Sequence, residues 1–175
     1  MYIFVGIFLI IFFFIIVSFA YGGLLAAPYV PMWKKDVQRA LDLAKIKPNE
    51  TLYDLGSGDG RIIIEAARAY GAKAIGFEIA LLPYIYSYVK IKLMGMHKDV
   101  QINLGNFFEN DLGKANVITA FLSTRAMAKL KDKFEKELRP GTRVLSFVFR
   151  IEGWEPEIIH KPKEKDLPIY LYRIK

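Results

Sequence analysis

The chain opens with an uncharged segment, and its first charged side chain is Lys34. The apolar run from Tyr2 to about Ala20 is long enough to cross a bilayer core, which needs about 20 apolar residues. A buried core helix usually keeps a polar face, which this run lacks. A secretory signal has a basic start and an apolar stretch of only about 7–15 residues, although Ser18-Phe19-Ala20 resembles a cleavage site. We therefore predict a transmembrane anchor over residues 1–22.

The rest of the chain alternates between helical periodicity and short apolar runs. Apolar residues recurring every three or four positions predict helices over residues 32–46, 61–70, 81–97 and 124–141. Short runs rich in branched and aromatic residues predict strands over residues 52–55, 73–79, 100–106, 115–122, 142–151 and 168–175. This alternation predicts a doubly wound α/β fold, with a mostly parallel sheet covered by helices on both faces.

The flanks of the anchor predict how the chain is organised at a membrane. Residues 23–33 form a linker that contains the element Pro-Tyr-Val-Pro, and residues 34–175 form one domain. Lys34 and Lys35 follow the apolar run, and no basic residue precedes it. The positive-inside rule then predicts a single-pass protein with its N-terminus outside and its domain in the cytoplasm.

Composition excludes several classes of site. The 175 residues include no cysteine, so disulfides, thiolate metal sites and cysteine nucleophiles are excluded. Only His97 and His160 are present, and they are too few and too far apart for a zinc site, so we predict no metal.

The candidate chemistry begins at a glycine-rich turn in the stretch TLYDLGSGDGRIIIEAA, residues 51–67. Gly56, Gly58 and Gly60 lie between a predicted strand and a predicted helix, where backbone amides can approach a ligand closely. A dinucleotide site would have Gly-x-Gly-x-x-Gly, and a P-loop would have Gly-Lys-Ser/Thr; neither is present. Asp54 and Asp59 would repel a pyrophosphate but suit a ligand with an ammonium and a sulfonium group. A tight connection without a ligand is the alternative for such a turn alone.

Two further positions follow the next strands, where ligands bind in open α/β sheets. Glu78 ends the second strand and is placed to accept hydrogen bonds from the hydroxyls of an adenosine ribose. Asn106 follows the third strand, where the adenine would lie, and Phe107 could pack against that ring. The three positions together predict an adenosyl-sulfonium site, although Glu78 or Asn106 alone could be a loop residue.

Beyond these residues the sequence resembles class I, seven-strand, S-adenosylmethionine-dependent methyltransferases. The segments PYVPMWKKDVQRAL, LYDLGSGDGRIIIEAA, GFEI, GNFFE, KFEKELRPGTRVLS and GWEP resemble small protein-lysine methyltransferases, both the broad-specificity archaeal enzymes and the membrane-anchored mitochondrial ones. The resemblance implies a Rossmann-like seven-stranded sheet and S-adenosylmethionine as cofactor. It implies cofactor roles for Asp54, Gly56, Ser57, Gly58, Gly60, Glu78 and Asn106. It also places Tyr29 near the methionine end of the cofactor; alternatively, Pro28 and Pro31 only stiffen the exit from the membrane.

The substrate of such an enzyme would be a lysine amine, which must be neutral to react although its ordinary pKa is near 10.4. Desolvation in an apolar slot lowers an amine pKa, so no dedicated general base is predicted. Candidates for the slot are Phe121, Leu122 and Trp154, with Ser123 as a polar contact; ordinary packing is the alternative for Trp154. The Asp/Asn-Pro-Pro-aromatic loop of many base- and amide-directed methyltransferases is absent, which disfavours adenine or glutamine substrates.

Two other functions remain open at this stage. The charge of +7 admits an RNA methyltransferase, because phosphate contacts dominate nucleic-acid affinity. However, basic and acidic residues alternate over residues 129–139, which is typical of a solvated helix face and makes nucleic acid an unfavoured partner. We expect Lys34 and Lys35 to contact anionic lipid headgroups rather than nucleic acid. The tether predicts a membrane-associated protein as the substrate. A tethered binding protein without activity is the third alternative.

One helix has an unusual surface. In residues 81–97 the side chains of Tyr84, Ile85, Tyr88 and Ile91 share a face that we expect to lie in the core, with a surface leaning on the membrane as the alternative.

Overall fold

The computed structural model describes residues 2–175 and contains five α-helices and seven strands within that range. The helices are α1 (Tyr2–Leu25), α2 (Lys34–Ala44), α3 (Arg61–Tyr70), α4 (Leu81–Leu93) and α5 (Thr124–Glu137). The strands are β1 (Thr51–Leu55), β2 (Lys73–Glu78), β3 (Val100–Leu104), β4 (Val117–Ala120), β5 (Arg143–Phe147), β6 (Ile158–His160) and β7 (Ile169–Arg173). A single 3₁₀ turn, Phe107–Glu109, follows β3.

All seven strands form one sheet in the order β3-β2-β1-β4-β5-β7-β6. Strands β1 to β5 are parallel to one another, and β7 runs antiparallel between β5 and β6. The predicted fold class is therefore confirmed. The six strands read from the sequence pattern are present, and β6 is the seventh, because three half-exposed residues give too short a pattern to recognise.

The sheet is covered on both faces. Buried side chains of α2 and α3 and Ile91 of α4 form one core, whereas α5 and the 3₁₀ turn cover the opposite face. Helix α3 connects β1 to β2, which lie side by side, so the turn that precedes α3 opens at the carboxyl edge of the sheet. That turn contains the glycines, and it therefore lies where open α/β sheets bind ligands.

Helix α1 has a free part and a packed part. From Tyr2 to Val17 its side chains are mostly exposed, whereas Gly22 and the following Ala26 are buried. The Leu81 N–H donates to Ser18 Oγ at 3.3 Å, and a Cβ at Gly22 would come within 2.9 Å of the Ile79 side chain. The helix is long and apolar enough to cross a membrane, but its last two turns are packed on the domain. It also continues through Leu25, three residues beyond the predicted anchor.

The expected core face of α4 is only partly correct. Ile91 is buried and Tyr84 is half-buried, but Ile85 and Tyr88 are exposed. The buried face instead consists of Pro83, Ser87 and Ile91, at a spacing of four residues. The prediction for Ile85 and Tyr88 was wrong because hydrophobicity alone did not indicate which side of an almost wholly apolar helix faces the sheet.

Candidate active site

A cavity opens at the carboxyl edge of the sheet, beside the ends of β1, β2 and β4. It brings together ten of the residues predicted from the sequence: Tyr29, Asp54, Gly56, Ser57, Gly58, Glu78, Asn106, Phe107, Phe121 and Leu122. Gly60, Ser123 and Trp154 are the three that do not line it. Residues from distant parts of the chain therefore meet at one site, as their placement after successive strands predicts.

The glycine turn forms the floor of this cavity. Gly56, Gly58 and Gly60 have φ angles of +80°, +56° and +75°, which favour glycine. At Gly58 the space is also closed, because a Cβ would lie 2.7 Å from the Tyr29 ring. The turn is fixed to β2, since the Gly56 and Ser57 N–H groups donate to the Phe77 carbonyl at 3.0 and 2.9 Å.

Glu78 connects the glycine turn with the end of β2. Its Oε2 accepts from the Gly58 N–H at 2.6 Å, and its Oε1 accepts from the N–H groups of Ile79 and Ala80 at 2.9 and 2.7 Å. Burial raises the pKa of the Glu78 carboxyl, while these three hydrogen bonds act in the opposite direction. A carboxylate accepts about four hydrogen bonds, so this fixed group keeps acceptor capacity for a ligand hydroxyl.

Asp54 has an unpartnered oxygen at the cavity. Its Oδ1 accepts from Thr119 Oγ1 at 2.7 Å. Within residues 2–175 its buried Oδ2 makes no hydrogen bond of regular geometry, and neither does the buried Ser57 hydroxyl, which lies close enough to lower the pKa of this carboxyl. Burial raises the pKa of the Asp54 carboxyl to about 7, against the lowering effect of the Thr119 and Ser57 hydroxyls, and the charges of Glu78 and Asp59 add smaller increases. An unsatisfied buried carboxylate oxygen is costly, and a ligand cation in the cavity would satisfy it.

Asp59 does not offer the free charge that the sequence suggested. Arg61 binds both of its oxygens, with Nε–Oδ1 at 2.8 Å and Nη2–Oδ2 at 2.7 Å. The same guanidinium donates through Nη1 to the Met32 carbonyl. Arg61 therefore fastens the glycine turn to the segment that carries Tyr29. Sequence reasoning missed this role, and the only signal was an arginine two residues after an acid at a helix start.

Tyr29 lies over the glycine turn, at the edge of the cavity. Burial, followed by the charge of Asp59, raises the pKa of its phenol. The hydroxyl is therefore protonated at neutral pH, and it can donate a hydrogen bond but cannot act as a base.

The predicted substrate residues divide into two groups. Phe121 and Leu122 line the cavity, and Phe121 packs edge-on against Phe147 with ring centres 4.9 Å apart. Ser123 instead caps α5: its Oγ accepts from the Ala126 N–H, and its N–H and hydroxyl both donate to the Ala26 carbonyl.

Trp154 belongs to the packing of the other sheet face. Its Nε1 donates to Glu135 at 2.9 Å, and its ring contacts Phe134 and Tyr172 with centres 6.3 and 5.9 Å away. The position of Trp154 matches the packing alternative. Gly60, the third predicted residue outside the lining, precedes the first residue of α3, where a Cβ would meet the Ser87 hydroxyl.

The end of α1 also lines the cavity, which the sequence did not indicate. Phe19, Gly22, Gly23 and Leu25 contribute to its wall together with residues 26–32. The length of its uncharged apolar run marked this helix as a membrane segment, and no residue in it suggested a second contact with the site.

Comparison with known proteins identifies relatives of most of the chain. Residues 54–158 match the family model described as ANTKMT methyltransferase domain. A protein-lysine N-methyltransferase of Saccharolobus islandicus is 44% identical over 150 residues, covering 84% of this chain and 93% of that protein. An adenine nucleotide translocase lysine N-methyltransferase of Mus musculus is 30% identical over 134 residues, covering 75% of this chain. The chain spans 57% of the length of the mouse protein.

A solved structure supports the same fold. An RNA methyltransferase from Salinibacter ruber, in complex with S-adenosyl-L-homocysteine, has a TM-score of 0.79 and 36% identity to this chain. The similarity covers 83% of this chain and 94% of that one.

Proposed function

The chain belongs to the ANTKMT family of class I S-adenosylmethionine-dependent lysine methyltransferases, and we propose that it methylates lysines of membrane-associated proteins while tethered to the same membrane. Family membership supports the reaction and the cofactor. The tether, its orientation and the class of substrate are our inferences from α1 and the cavity.

The observation that supports the cofactor site in this proposal is Asp54, which lines the cavity beside the glycine turn and has one oxygen without a hydrogen bond of regular geometry. The ammonium of S-adenosylmethionine would supply the missing partner, and Glu78 and Asn106 would hold its ribose and adenine. The residues present therefore fit this cofactor. When bound, it supplies an electrophilic methyl group on a sulfonium.

The remaining work of the protein is to present a neutral amine in line with that methyl group. Phe121 and Leu122 give an apolar wall, and Tyr29 lies opposite the glycine turn. An apolar wall lowers the pKa of a lysine amine by desolvation, so that more of it is neutral at physiological pH. No side chain is needed as a base if the proton leaves to water before the amine enters.

The tether follows from the part of α1 that stands free of the domain. Because the packed end of the same helix lines the cavity, a lysine that reaches the site must approach close to the membrane. A tethered enzyme also meets substrates of its own membrane at a raised effective concentration. We therefore propose that lysines near the bilayer surface are methylated in preference to those of soluble proteins. From the positive-inside rule we infer that the domain lies in the cytoplasm.

The first experiment incubates the full-length protein in liposomes with methyl-tritiated S-adenosylmethionine and a membrane extract of its host. Label that is lost with protease, survives nuclease and is recovered as methyl-lysine supports the proposal. The matched control is Glu78→Gln, which should not incorporate label because the acceptor for the ribose is weakened. Incorporation by this variant at the wild-type rate would contradict the assigned site.

A second candidate is RNA methylation, because the Salinibacter ruber relative is named an RNA methyltransferase and is 36% identical. Label that is sensitive to nuclease in the same experiment would favour it.

The tether needs a separate test with a suitable truncation. A form that lacks residues 2–17 keeps Ser18 and every residue that lines the cavity, whereas removal of residues 1–26 would also remove part of the wall. The shorter truncation should methylate a soluble lysine peptide as fast as the full chain and membrane substrates much more slowly. If the truncated form methylated the membrane substrates as fast as the full chain does, this result would contradict the role of the tether.

A further inference from the structure

The outer face of α4 is apolar although it is exposed. Leu82, Ile85, Tyr86, Val89 and Leu93 follow one another at spacings of one, three or four residues and form one stripe; their exposed fractions are 45, 44, 59, 46 and 83%. The buried residues of the helix lie on its opposite side. The outer face of a surface helix is normally polar, and a contiguous apolar patch marks an interaction site.

The charged residues of α4 stand at the margins of this stripe. Residues 81–93 contain two lysines and no acid. Lys90 Nζ lies 5.8 Å from the centre of the Tyr86 ring, and Lys92 Nζ lies 5.6 Å from that of Tyr88. An apolar stripe with lysines and tyrosines at its edges is the pattern of helices that lie in a membrane interface, where lysines extend toward anionic headgroups.

The contact between α4 and α1 also indicates that α4 lies near the membrane surface. The free part of α1, residues 2–17, is about 24 Å long at 1.5 Å per residue. A hydrocarbon core is about 30 Å thick, so a crossing helix must use roughly four more residues. Those residues, Ser18 to Tyr21, lie where the Leu81 N–H binds Ser18. The first turn of α4 is therefore at the depth where α1 leaves the membrane.

We propose that the outer face of α4 docks on the anionic surface of the bilayer that α1 crosses. This inference rests on the membrane attachment proposed above, and it adds a second contact that fixes how the domain lies on the membrane. A second copy of the chain is a poorer occupant, because pairing this face with itself would bring Lys90 and Lys92 of both copies together in a protein of charge +7. Anionic lipid instead complements these charges.

The natural absence of cysteine permits a direct test with single spin labels. Three full-length variants each carry one label: Val89→Cys on the α4 stripe, Lys129→Cys on the exposed face of α5, and Phe12→Cys in the free part of α1. Each is reconstituted in liposomes of phosphatidylcholine with about 30% phosphatidylserine, which supplies the anionic headgroups. Collision of the label with oxygen and with a water-soluble nickel chelate then reports its depth.

We expect the labels at positions 89 and 12 to favour oxygen and the label at position 129 to favour nickel. An aqueous label at position 89 with a membrane label at position 12 would overturn the docking and leave the tether intact. An aqueous label at position 12 would overturn both, and the methylation assay with a soluble lysine peptide would still report the enzyme. Spin–spin broadening at position 89 that disappears on dilution with unlabelled protein would show a second copy there and would also overturn the proposal.

The lysines provide an independent check. In the Val89→Cys protein, Lys90→Gln and Lys92→Gln should each weaken the docked state about fivefold. The two substitutions together, or omission of phosphatidylserine, should weaken it about 25-fold. The matched control is Lys129→Gln with Lys136→Gln on α5, which should leave the label at position 89 unchanged. If the control pair weakened the docked state as much as the α4 pair, general charge attraction would explain the binding, and a specific docking surface on α4 would be contradicted.

Discussion

Replacing Asp54 with asparagine tests the electrostatics of the cofactor site. The substitution keeps the shape of the side chain, and its amide oxygen can still accept from Thr119. It removes a charge that is fully buried without a partner for one oxygen. The expected results differ between the free protein and the complex, which makes the test specific.

In the free protein the buried carboxylate destabilises the fold. A rise in the pKa of Asp54 from 3.8 to about 7 corresponds to about 4 kcal/mol of penalty on the ionised form. Because its pKa is higher in the folded than in the unfolded chain, the folded protein binds more protons between these values. The contribution of Asp54 to stability therefore falls as pH rises from about 4 to 7 and is constant above. Asp54→Asn should unfold at a higher urea concentration than wild type at pH 8, and the difference should shrink toward pH 5.

Asp54→Asn should weaken cofactor binding, although it should stabilise the free protein. An ammonium that binds Asp54 requires the ionised carboxylate, so wild-type affinity for S-adenosylmethionine should weaken up to tenfold per pH unit below about 7. A hydrogen bond between charged groups contributes about 1.5–3 kcal/mol, so Asp54→Asn should bind about 10- to 150-fold more weakly at pH 8 and lose this pH dependence.

The measurement is titration calorimetry of the full-length protein from pH 5.5 to 8.5, in buffers that differ in ionisation enthalpy. Wild-type binding near pH 6.5 should release a fraction of a proton. Asp132→Asn makes the same chemical change on an exposed face of α5 and should change neither stability nor affinity. A wild-type affinity that is constant from pH 6 to 8, or an Asp54→Asn protein that binds within twofold of wild type, would refute the assignment.

Three further predictions concern the surroundings of the same cavity. Gly58→Ala should abolish cofactor binding in calorimetry, because it strains a φ of +56° and drives a methyl group into the Tyr29 ring; wild-type binding would show that the turn can relax. Tyr29→Phe should keep most of the methylation rate, since the phenol is not a base, whereas a rate as low as that of Tyr29→Ala would mean that the hydroxyl is required. Ser123→Ala removes the cap of α5 and a bond to Ala26, and should lower the free energy of unfolding by about 1 kcal/mol; an unchanged urea midpoint would contradict this.

Sequence reasoning predicted most of the candidate residues that line the cavity, because they lie on local patterns. Glu78 is the last residue of β2, the glycine turn and Asn106 each follow a recognisable strand, and parallel strands end at a common edge. Their meeting is therefore a consequence of topology. Arg61 was missed because its contact with Met32 joins two segments that no periodicity relates. Trp154 was a candidate for the substrate slot with ordinary packing as the alternative, and the structure places its ring against Phe134 on the α5 face.

The sequence also could not predict how α1 and α4 pack, because an apolar side chain can face either a protein core or a membrane. The pattern of α4 satisfied both until Pro83, Ser87 and Ile91 were seen to face the sheet. The remaining face is the exposed apolar stripe for which we propose membrane docking. For α1, composition indicated a membrane but could not reveal that Gly22 allows close approach to Ile79.

The end of α1 connects the proposed membrane segment with the cavity. Ala26, directly after this helix, accepts two hydrogen bonds from Ser123 at the start of α5, and Ser123 follows the cavity residues Phe121 and Leu122. Under the proposed tether, a change in the angle between the domain and the end of α1 would act on the wall of the proposed substrate slot through these hydrogen bonds. A flexible tether would permit such tilting, whereas a second contact through α4 would suppress it. We therefore infer that the proposed docking of α4 would also support the reaction, because an in-line methyl transfer depends on a slot whose walls keep their positions.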